Sequence, residues 1–218
     1  EEWRIAAYGL NVKKYPMCYC THRALDAILD LVKEKPVRLA DVAGIDVFTG
    51  ARNMTILRNA RPVTGLEAKF SMQFAMATAL VVGRAGLGQL QDDFVLKPEV
   101  QSIFPKVSLT LDDREDPAMP GHSPFDKVTI RLKDGRSIES REVTEARGAA
   151  TAPLSADELK GKFDDCIRIG RPGPEPAPLV GALQNLETVG GVKDLVAAAQ
   201  PGRKEAKRTE GGRGEGAR

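Results

Sequence analysis

The stretch KVTIRLKDGRSIESREV, residues 127–143, decides which fold the chain can adopt. Apolar and polar residues alternate on both sides of Asp134-Gly135. An Asp-Gly pair between two alternating segments is the strongest short-range signal for a hairpin turn. The stretch therefore predicts two antiparallel strands joined at Asp134-Gly135.

Three other segments predict further strands. Residues 42–50, VAGIDVFTG, are β-branched and bounded by glycine, which is typical of a strand. Residues 106–113, KVSLTLDD, alternate apolar and polar side chains, so one face of this strand can be buried. Residues 3–12, WRIAAYGLNV, predict a strand at the start of the chain. Together with the hairpin, these segments predict a small mixed sheet.

Helices are predicted between the strands. Thr21 is the expected N-cap of the first helix and Pro36 its end, since proline cannot continue a helix. Apolar residues recur at helical spacing at Leu25, Ile28, Leu29 and Val32.

A second helix is predicted from Thr64 to Val82, because Thr64-Gly65-Leu66-Glu67 forms a capping box. One face of this helix is expected to carry Leu66, Phe70, Phe74 and Ala77. Pro98 suits the first turn of a short helix ending near Phe104. Strands and helices in this order predict the α+β class, a small mixed sheet with packed helices.

The composition changes near residue 148. We expect residues 1–150 to form an α+β domain and residues 151–199 a C-terminal helical segment. This segment opens on a second capping box at Ser155–Glu158 and contains a Pro/Gly-rich link at 170–178. Residues 200–218, rich in Gly, Arg and Glu, are expected to be a disordered tail.

Charge excludes one class of partner for the folded part. The segment 201–218 holds six of the 32 Lys and Arg and three of the 30 Asp and Glu, which leaves residues 1–200 with 26 basic and 27 acidic side chains. Such a balance does not make a basic nucleic-acid surface. No run of about 18 apolar residues occurs, which excludes a membrane-spanning helix. Three cysteines are too few for a disulfide framework, so we expect a reducing, cytoplasmic compartment.

The chemically richest stretch is KKYPMCYCTH, residues 13–22. As a metal site it offers Cys18, Cys20 and His22, with Cys166 or His122 as a fourth ligand, but His22 should already be turning into the helix. As a nucleophile site it offers a thiolate favoured by nearby lysines and a helix N-terminus. No motif then supplies an orienting Asn or Asp or an oxyanion hole.

The third hypothesis is anion capture. A helix that begins at Thr21 presents unpaired N–H groups and partial positive charge to a carboxylate or phosphate. The Thr21 hydroxyl, His22 and the two preceding lysines favour the same ligand. In the plain structural alternative Thr21 only caps, His22 only packs and the lysines are only solvated. The residues by themselves leave both interpretations open.

Four strings, in this order, resemble the MmgE/PrpD family: KKYPMCYCTHRALDA, PVTGLEAKFSMQFAMATAL, KVTIRLKDGR and APLSADELKGKF. The resemblance covers about residues 3–198. It implies a lid-like α+β domain over 1–150 and helices over 151–199 that return to a large helical domain, with the active site in the cleft between the two domains. That main helical domain is expected to be missing from this chain. The family also implies a homodimer.

The family includes 2-methylcitrate dehydratase and cis-aconitate decarboxylase, which remove water or CO₂ from small polycarboxylates without a cofactor. The resemblance therefore implies a lyase with no cofactor and no metal. It assigns Lys13 and Cys18 as catalytic residues, with Lys13 holding a substrate carboxylate. His22 and Lys69 match strings of the family, and together with Lys13 and with Thr21 from the anion-capture hypothesis they are the expected substrate-binding residues.

Two departures bear on the reaction. The decarboxylase branch has His at the position of Cys18 and Tyr at that of Phe74. The expected activity is therefore that of a 2-methylcitrate dehydratase of propionate catabolism, with an incomplete active site and an inactive isolated chain. The alternatives are a non-catalytic binding fragment of the same fold, or a decarboxylase, epimerase or hydrolase of the family.

Overall fold

The computed structural model describes residues 2–117, 121–170 and 176–200. Its strands are β1 (Val42–Gly50), β2 (Val107–Asp112), β3 (Lys127–Leu132) and β4 (Ser137–Glu139). Its α-helices are α1 (Arg4–Tyr8), α2 (His22–Glu34), α3 (Gly65–Ala68), α4 (Met72–Val82), α5 (Asp92–Val95), α6 (Pro98–Gln101), α7 (Ala156–Gly170), α8 (Pro176–Gln184) and α9 (Val192–Ala198). Residue contacts divide the chain into one unit over Glu1–Ile169 and a second over Gly170–Arg218.

The sheet has the strand order β2-β1-β3-β4. Strand β1 lies at the centre, parallel to β2 and antiparallel to β3. β3 and β4 form the predicted hairpin, and Gly135 in its turn has φ +88°, a conformation that glycine adopts without strain. The α+β class, the strand at 42–50 and the hairpin are confirmed.

The core lies between the sheet and two helices. Helix α2 packs against both β3 and α4, so it buries more than one stripe of its surface. The larger fully buried side chains include Leu25 and Ile28 from α2, Met72 and Phe74 from α4, and Ile130 from β3. Burial of this apolar surface, at about 25 cal/mol per Å², is the main term that stabilises the unit.

The strand predicted at 3–12 is wrong. Residues 4–8 form the short helix α1, which has no buried residue. Trp3 and Tyr8 are 82% and 74% exposed. A strand needs a neighbour with free backbone groups, and the edges of this sheet are β2 and β4. Residues 4–8 pair with neither edge strand, and the local i→i+4 hydrogen bonds of a helix satisfy their backbone instead.

The continuous helix predicted from Thr64 to Val82 is also wrong. The capping box at Thr64 forms as expected, but the helix stops after Ala68. Ser71 then caps α4 by accepting a 3.1 Å hydrogen bond from the N–H of Phe74. The break turns Leu66 and Phe70 outward, 69% and 38% exposed, while Phe74 is fully buried. The expected common face therefore does not exist.

The second unit contains α8, a 3₁₀ turn at Leu186–Thr188 and α9. The Pro/Gly-rich link predicted at 170–178 lies largely outside the described residues, and so does the tail except for Gln200. The domain limits expected at 150 and 199 stay predictions. Within the described part of the chain, no helix is both long enough and apolar enough to cross a membrane.

Candidate active site

The segment from Lys13 to His22 is tied to distant parts of the fold. The N–H of Val12, just before it, donates a 2.7 Å hydrogen bond to the carbonyl oxygen of Gly148. The N–H of Cys18 donates a 2.9 Å hydrogen bond to the carbonyl oxygen of Lys69. Lys13 to His22 together with Lys69 is called the candidate corner below.

The two adjacent lysines of the candidate corner have different environments. The ammonium group of Lys14 pairs with Glu158 of α7, and this interaction holds the pKa of Glu158 at about 2. Lys13 is exposed. Among the described residues its ammonium group forms no salt bridge and no hydrogen bond. Lys13 is therefore the lysine that is available to an external anion.

A buried polar network holds the Tyr-Pro step on α2. The Tyr15 hydroxyl donates a 2.6 Å hydrogen bond to Asp26, and the N–H of Arg147 donates a 2.7 Å bond to the other Asp26 oxygen. The Arg147 guanidinium also pairs with Asp30. Burial raises the pKa of Tyr15 above its usual range, and the Asp26 carboxylate adds to this effect. Tyr15 is therefore a neutral donor that fixes the backbone next to Lys14.

His22 lies inside the protein. Its imidazole is fully buried and packs against two tyrosine rings, with centroids 5.1 Å from that of Tyr15 and 4.9 Å from that of Tyr19. The pKa of His22 is lowered to about 4, chiefly by burial and in part by the positive charge of Lys13, although backbone groups of Met17 and Tyr15 oppose the shift. Neither ring nitrogen has a hydrogen-bond partner among the described residues. His22 is neutral at pH 7 and supports the two tyrosines.

Thr21 occupies the N-cap position of α2 without capping it. Its hydroxyl donates a 2.8 Å hydrogen bond back to the carbonyl oxygen of Cys18, whereas a cap would accept one from the helix. The N–H groups of Thr21 and His22 are bonded within a 3₁₀ turn, Tyr19–Thr21. The helix start therefore offers an anion fewer free N–H groups than expected.

The thiols of Cys18 and Cys20 are half-buried against the hydrophobic core. Burial raises the pKa of the Cys20 thiol to about 12, and the neighbouring Cys18 contributes. This environment disfavours a Cys20 thiolate at neutral pH. No cluster of three His, Cys, Asp or Glu side chains suited to a metal ion occurs in the described ranges.

Lys69 joins the candidate corner from the end of α3. Its side chain is half-buried, and its ammonium group forms no salt bridge within the part of the chain that the structure describes. Phe74 lies five residues after Lys69, in the first turn of α4, and is fully buried. Its ring meets that of Phe94 edge to face, with the ring centroids 6.3 Å apart. A phenyl ring has no hydroxyl to offer a ligand at this position.

Two clefts lie next to the candidate corner. One of about 1020 Å³ is lined by Lys14, Tyr15, Arg147 and residues of α7, and the other, of about 370 Å³, by Tyr19, Cys20, Arg23 and His122 among others. Lys13, Cys18, Thr21, His22 and Lys69 line neither cleft. Of these five predicted site residues, Lys13 is exposed, Cys18 and Lys69 are half-buried, and Thr21 and His22 are buried.

The family model for the MmgE/PrpD C-terminal domain matches residues 15–172. The chain belongs to the MmgE/PrpD family. A search of curated protein sequences found no match. The matched range contains Cys18, Thr21, His22 and Lys69 and begins two residues after Lys13. The roles given to these residues remain predictions.

A buried ion pair beside the candidate corner of this MmgE/PrpD domain is not predictable from local sequence patterns. Arg23 donates a 3.0 Å hydrogen bond to Asp126 and a 2.7 Å bond to the hydroxyl of Ser123. Burial raises the pKa of Asp126 to about 6, although the Arg23 charge opposes the shift. The pair is 103 residues apart in the sequence, and no local pattern connects such distant residues.

Proposed function

We propose that this domain supplies one side of the active-site cleft of a cofactor-free lyase that acts on small polycarboxylates. The specific reaction proposed is dehydration of 2-methylcitrate. Two findings support the proposal: the chain belongs to the MmgE/PrpD family, and Lys13 presents an unpaired ammonium group next to a conformationally fixed segment. The second observation carries the assignment of a carboxylate-binding role.

Dehydration of a hydroxy acid removes a proton from the carbon next to a carboxylate and a hydroxyl group from the neighbouring carbon. Negative charge then develops on the carboxylate, and a fixed cation lowers the barrier by stabilising that charge. In the proposal Lys13 holds this carboxylate, and Lys69, whose backbone is hydrogen-bonded to Cys18, adds positive charge. Cys18 faces the reacting part of the substrate.

In this proposal three residues do not touch the substrate but hold neighbouring residues of the candidate corner in place. His22 supports Tyr15 and Tyr19 by packing. Tyr15 fixes the backbone next to the lysines through Asp26. Thr21 closes the turn that follows Cys18. These are positioning residues, because their polar groups are used inside the fold or are buried.

Dehydration is favoured over decarboxylation because of the residues present. By the family resemblance, the decarboxylase branch has His in place of Cys18 and Tyr in place of Phe74. Neither a thiol nor a phenyl ring reproduces the proton-transfer chemistry of those groups at neutral pH. Epimerase and hydrolase activities of the family have no comparable residue that favours them.

The opposite side of the cleft is proposed to come from a helical domain, because the matched family model is that of a C-terminal domain. The working enzyme is then a cytoplasmic homodimer in which both domains meet. The 218-residue chain alone should bind polycarboxylates weakly and turn them over little.

Titration of the 218-residue chain with 2-methylcitrate, followed by amide NMR shifts, tests the proposal. We expect saturable shifts at Lys13, Cys18 and Lys69. Replacing Lys13 with Met should weaken binding by about tenfold or more, since a hydrogen bond to a charged group contributes about 1.5–3 kcal/mol. The matched control, Lys14→Met, should leave binding unchanged. Equal binding by both variants, or turnover by the chain alone at about 1 s⁻¹ or faster, would contradict the proposal.

A non-catalytic binding module is the second candidate. Helices α8 and α9 expose apolar side chains, with Val192 75% and Val196 52% exposed, and such surface is typical of contacts with another protein. A pull-down with a family helical domain as bait separates the candidates. Turnover of 2-methylcitrate by the captured complex favours the lyase, and capture without turnover favours the module.

A further inference from the structure

The larger of the two clefts collects positive charge. It has a volume of about 1020 Å³ and is lined by residues of α2, of the loop 83–87 after α4, and of α7. It is called the α7 cleft below. Of the 26 basic and 27 acidic side chains in residues 1–200, six basic and four acidic ones line it, which leaves 20 and 23 elsewhere. A basic cleft in an otherwise acidic domain attracts anions.

Helix α7 is tied to the other walls of this cleft at two points. Glu158, near its start, pairs with Lys14. Asp165, two turns further along, accepts a 2.8 Å hydrogen bond from the N–H of Leu87. Because these contacts join segments that are distant in the sequence, the tertiary fold sets the shape of the cleft.

All four acidic side chains of the α7 cleft have partners. Glu158 and Asp165 bind the groups just named. Asp30 pairs with Arg147, and Asp164 pairs with a lysine of its own helix. Four basic side chains of the cleft form no salt bridge and no hydrogen bond among the described residues: Lys33, Arg84, Lys162 and Arg168.

Lys162 is the half-buried member of this group. Its neighbours on the same face of α7 are Glu158 and Asp165, at the spacings where a lysine usually finds a carboxylate. Both carboxylates are bound elsewhere, so the ammonium group stays unpaired. A partly buried charge is screened less by solvent than an exposed one, and Lys162 therefore attracts an anion more strongly than a surface lysine.

The loop after α4 adds a backbone donor. Ala85 lines the α7 cleft and is 9% exposed. Its N–H donates no hydrogen bond to another described residue. A buried N–H without an acceptor costs free energy, and a bound anion is an acceptor that removes this cost. The loop thus presents an unpaired N–H beside the guanidinium group of Arg84.

The spacing of the four unpaired cations favours a ligand with more than one charged group. Lys162 and Arg168 are six residues apart, about 9 Å along the axis of α7. Arg84 and Lys33 come from two other walls of the cleft. Two phosphate groups together carry a charge of about −3 to −4 at pH 7, which balances four cations. The planar fork of arginine also matches the geometry of phosphate oxygens.

We propose that the α7 cleft is a second anion site, separate from the candidate corner, for a small molecule that carries two phosphate groups. Lys162, Arg84 and the N–H of Ala85 bind its phosphate oxygens, and Lys33 and Arg168 balance the remaining charge. The bound molecule holds α7 against the loop 83–87. This site does not depend on the proposed lyase function.

Calorimetric titration of the 218-residue chain with inorganic pyrophosphate, at fixed ionic strength, tests the proposal. We expect saturable binding, with amide NMR shifts at residues 83–87 and at Lys162 and Arg168. Lys162→Met and Arg84→Met should each weaken binding about tenfold or more, the effect of losing a hydrogen bond to a charged group. Orthophosphate, with one phosphate group, should also bind at least about tenfold more weakly.

Two lysine variants serve as controls. Lys133 is exposed and lines neither cleft, so Lys133→Met should keep the affinity for pyrophosphate within about twofold, because solvent and salt screen a remote surface charge. Lys13→Met should also keep pyrophosphate binding while it weakens binding of 2-methylcitrate at the candidate corner. The two ligands therefore report on the two sites separately, and one proposal can fail without the other.

Three results would overturn the proposal. One is a set of NMR shifts confined to residues 201–218, whose six basic side chains attract phosphate by charge alone. Another is equal affinity of Lys162→Met, Arg84→Met and Lys133→Met. The third is tighter binding of citrate than of pyrophosphate in the α7 cleft, which would exclude phosphate as the preferred group. Circular dichroism shows whether each variant is folded, and the wild-type NMR map needs no variant.

Discussion

The N–H of Cys18 donates a 2.9 Å hydrogen bond to the carbonyl oxygen of Lys69. This bond joins the two strings on which the family resemblance depends most, KKYPMCYCTH and TGLEAKFS. Lys69 sits where α3 stops and the chain turns into α4. The break in the helix therefore leaves a carbonyl oxygen free for the start of the Cys18 turn, and the candidate corner exists because of that break.

Lys14 should matter for stability and Lys13 for binding. Lys14→Met removes the ion pair between Lys14 and Glu158. The Lys14 side chain is 20% exposed and that of Glu158 is 32% exposed. We expect a loss of up to about 1 kcal/mol in the free energy of unfolding, the usual range for partly exposed pairs. Urea denaturation measures it. Lys13→Met should cost less than Lys14→Met, and the reverse order would contradict the assignment.

Replacing Gly148 should disturb the segment that carries Lys13. Gly148 has φ +93°, and a Cβ there would lie 2.0 Å from the carbonyl oxygen of Val12. Gly135→Ala is the matched control, because its φ is +88° and its Cβ would meet open space. The control should cost about 1–2 kcal/mol and Gly148→Ala clearly more, by thermal denaturation. Equal losses would show that the Val12 contact relaxes freely.

Stability should depend on pH through His22. Its pKa in the folded protein is about 4, below the ordinary value of 6.5. Between these two pH values the unfolded chain binds a proton at His22 and the folded chain does not. The contribution of His22 to the free energy of unfolding is therefore fully present above pH 6.5. It is lost as the pH falls toward 4, by about 3 kcal/mol in all.

Unfolding of wild type and His22→Phe between pH 4 and pH 7 measures this contribution. The difference in free energy between the two proteins should shrink or turn in favour of the variant as the pH falls. His122→Phe, at the exposed second histidine, is the control and should follow the wild-type profile. A pH-independent difference between wild type and His22→Phe would refute the prediction.

Tyr15→Phe should destabilise the fold through Asp26. The substitution removes the 2.6 Å hydrogen bond and leaves a fully buried carboxylate with one donor fewer. The expected loss is about 1–3 kcal/mol, measured by urea denaturation. Tyr8→Phe, at a residue 74% exposed, should change stability by less than about 0.5 kcal/mol. Similar losses for both variants would mean that the Asp26 bond contributes little.

Local signals predicted the elements that form through neighbouring residues. The Asp134-Gly135 turn, the capping boxes at Thr64 and Ser155 and the strand at 42–50 all form as expected. Ser71 was a visible signal for the break in the second helix, since serine is a strong N-cap. The apolar run around it concealed that signal.

The sequence by itself determined the α+β class and the hairpin, because turn chemistry, capping and hydrophobic alternation act over a few residues, and it indicated the family through four strings that resemble it. Only the tertiary structure decided which lysine is free, since the partner of Lys14 is 144 residues away. The same holds for the burial of His22, which depends on packing from several sides. A side chain's partners are set by the meeting of distant segments, and local patterns do not encode that meeting.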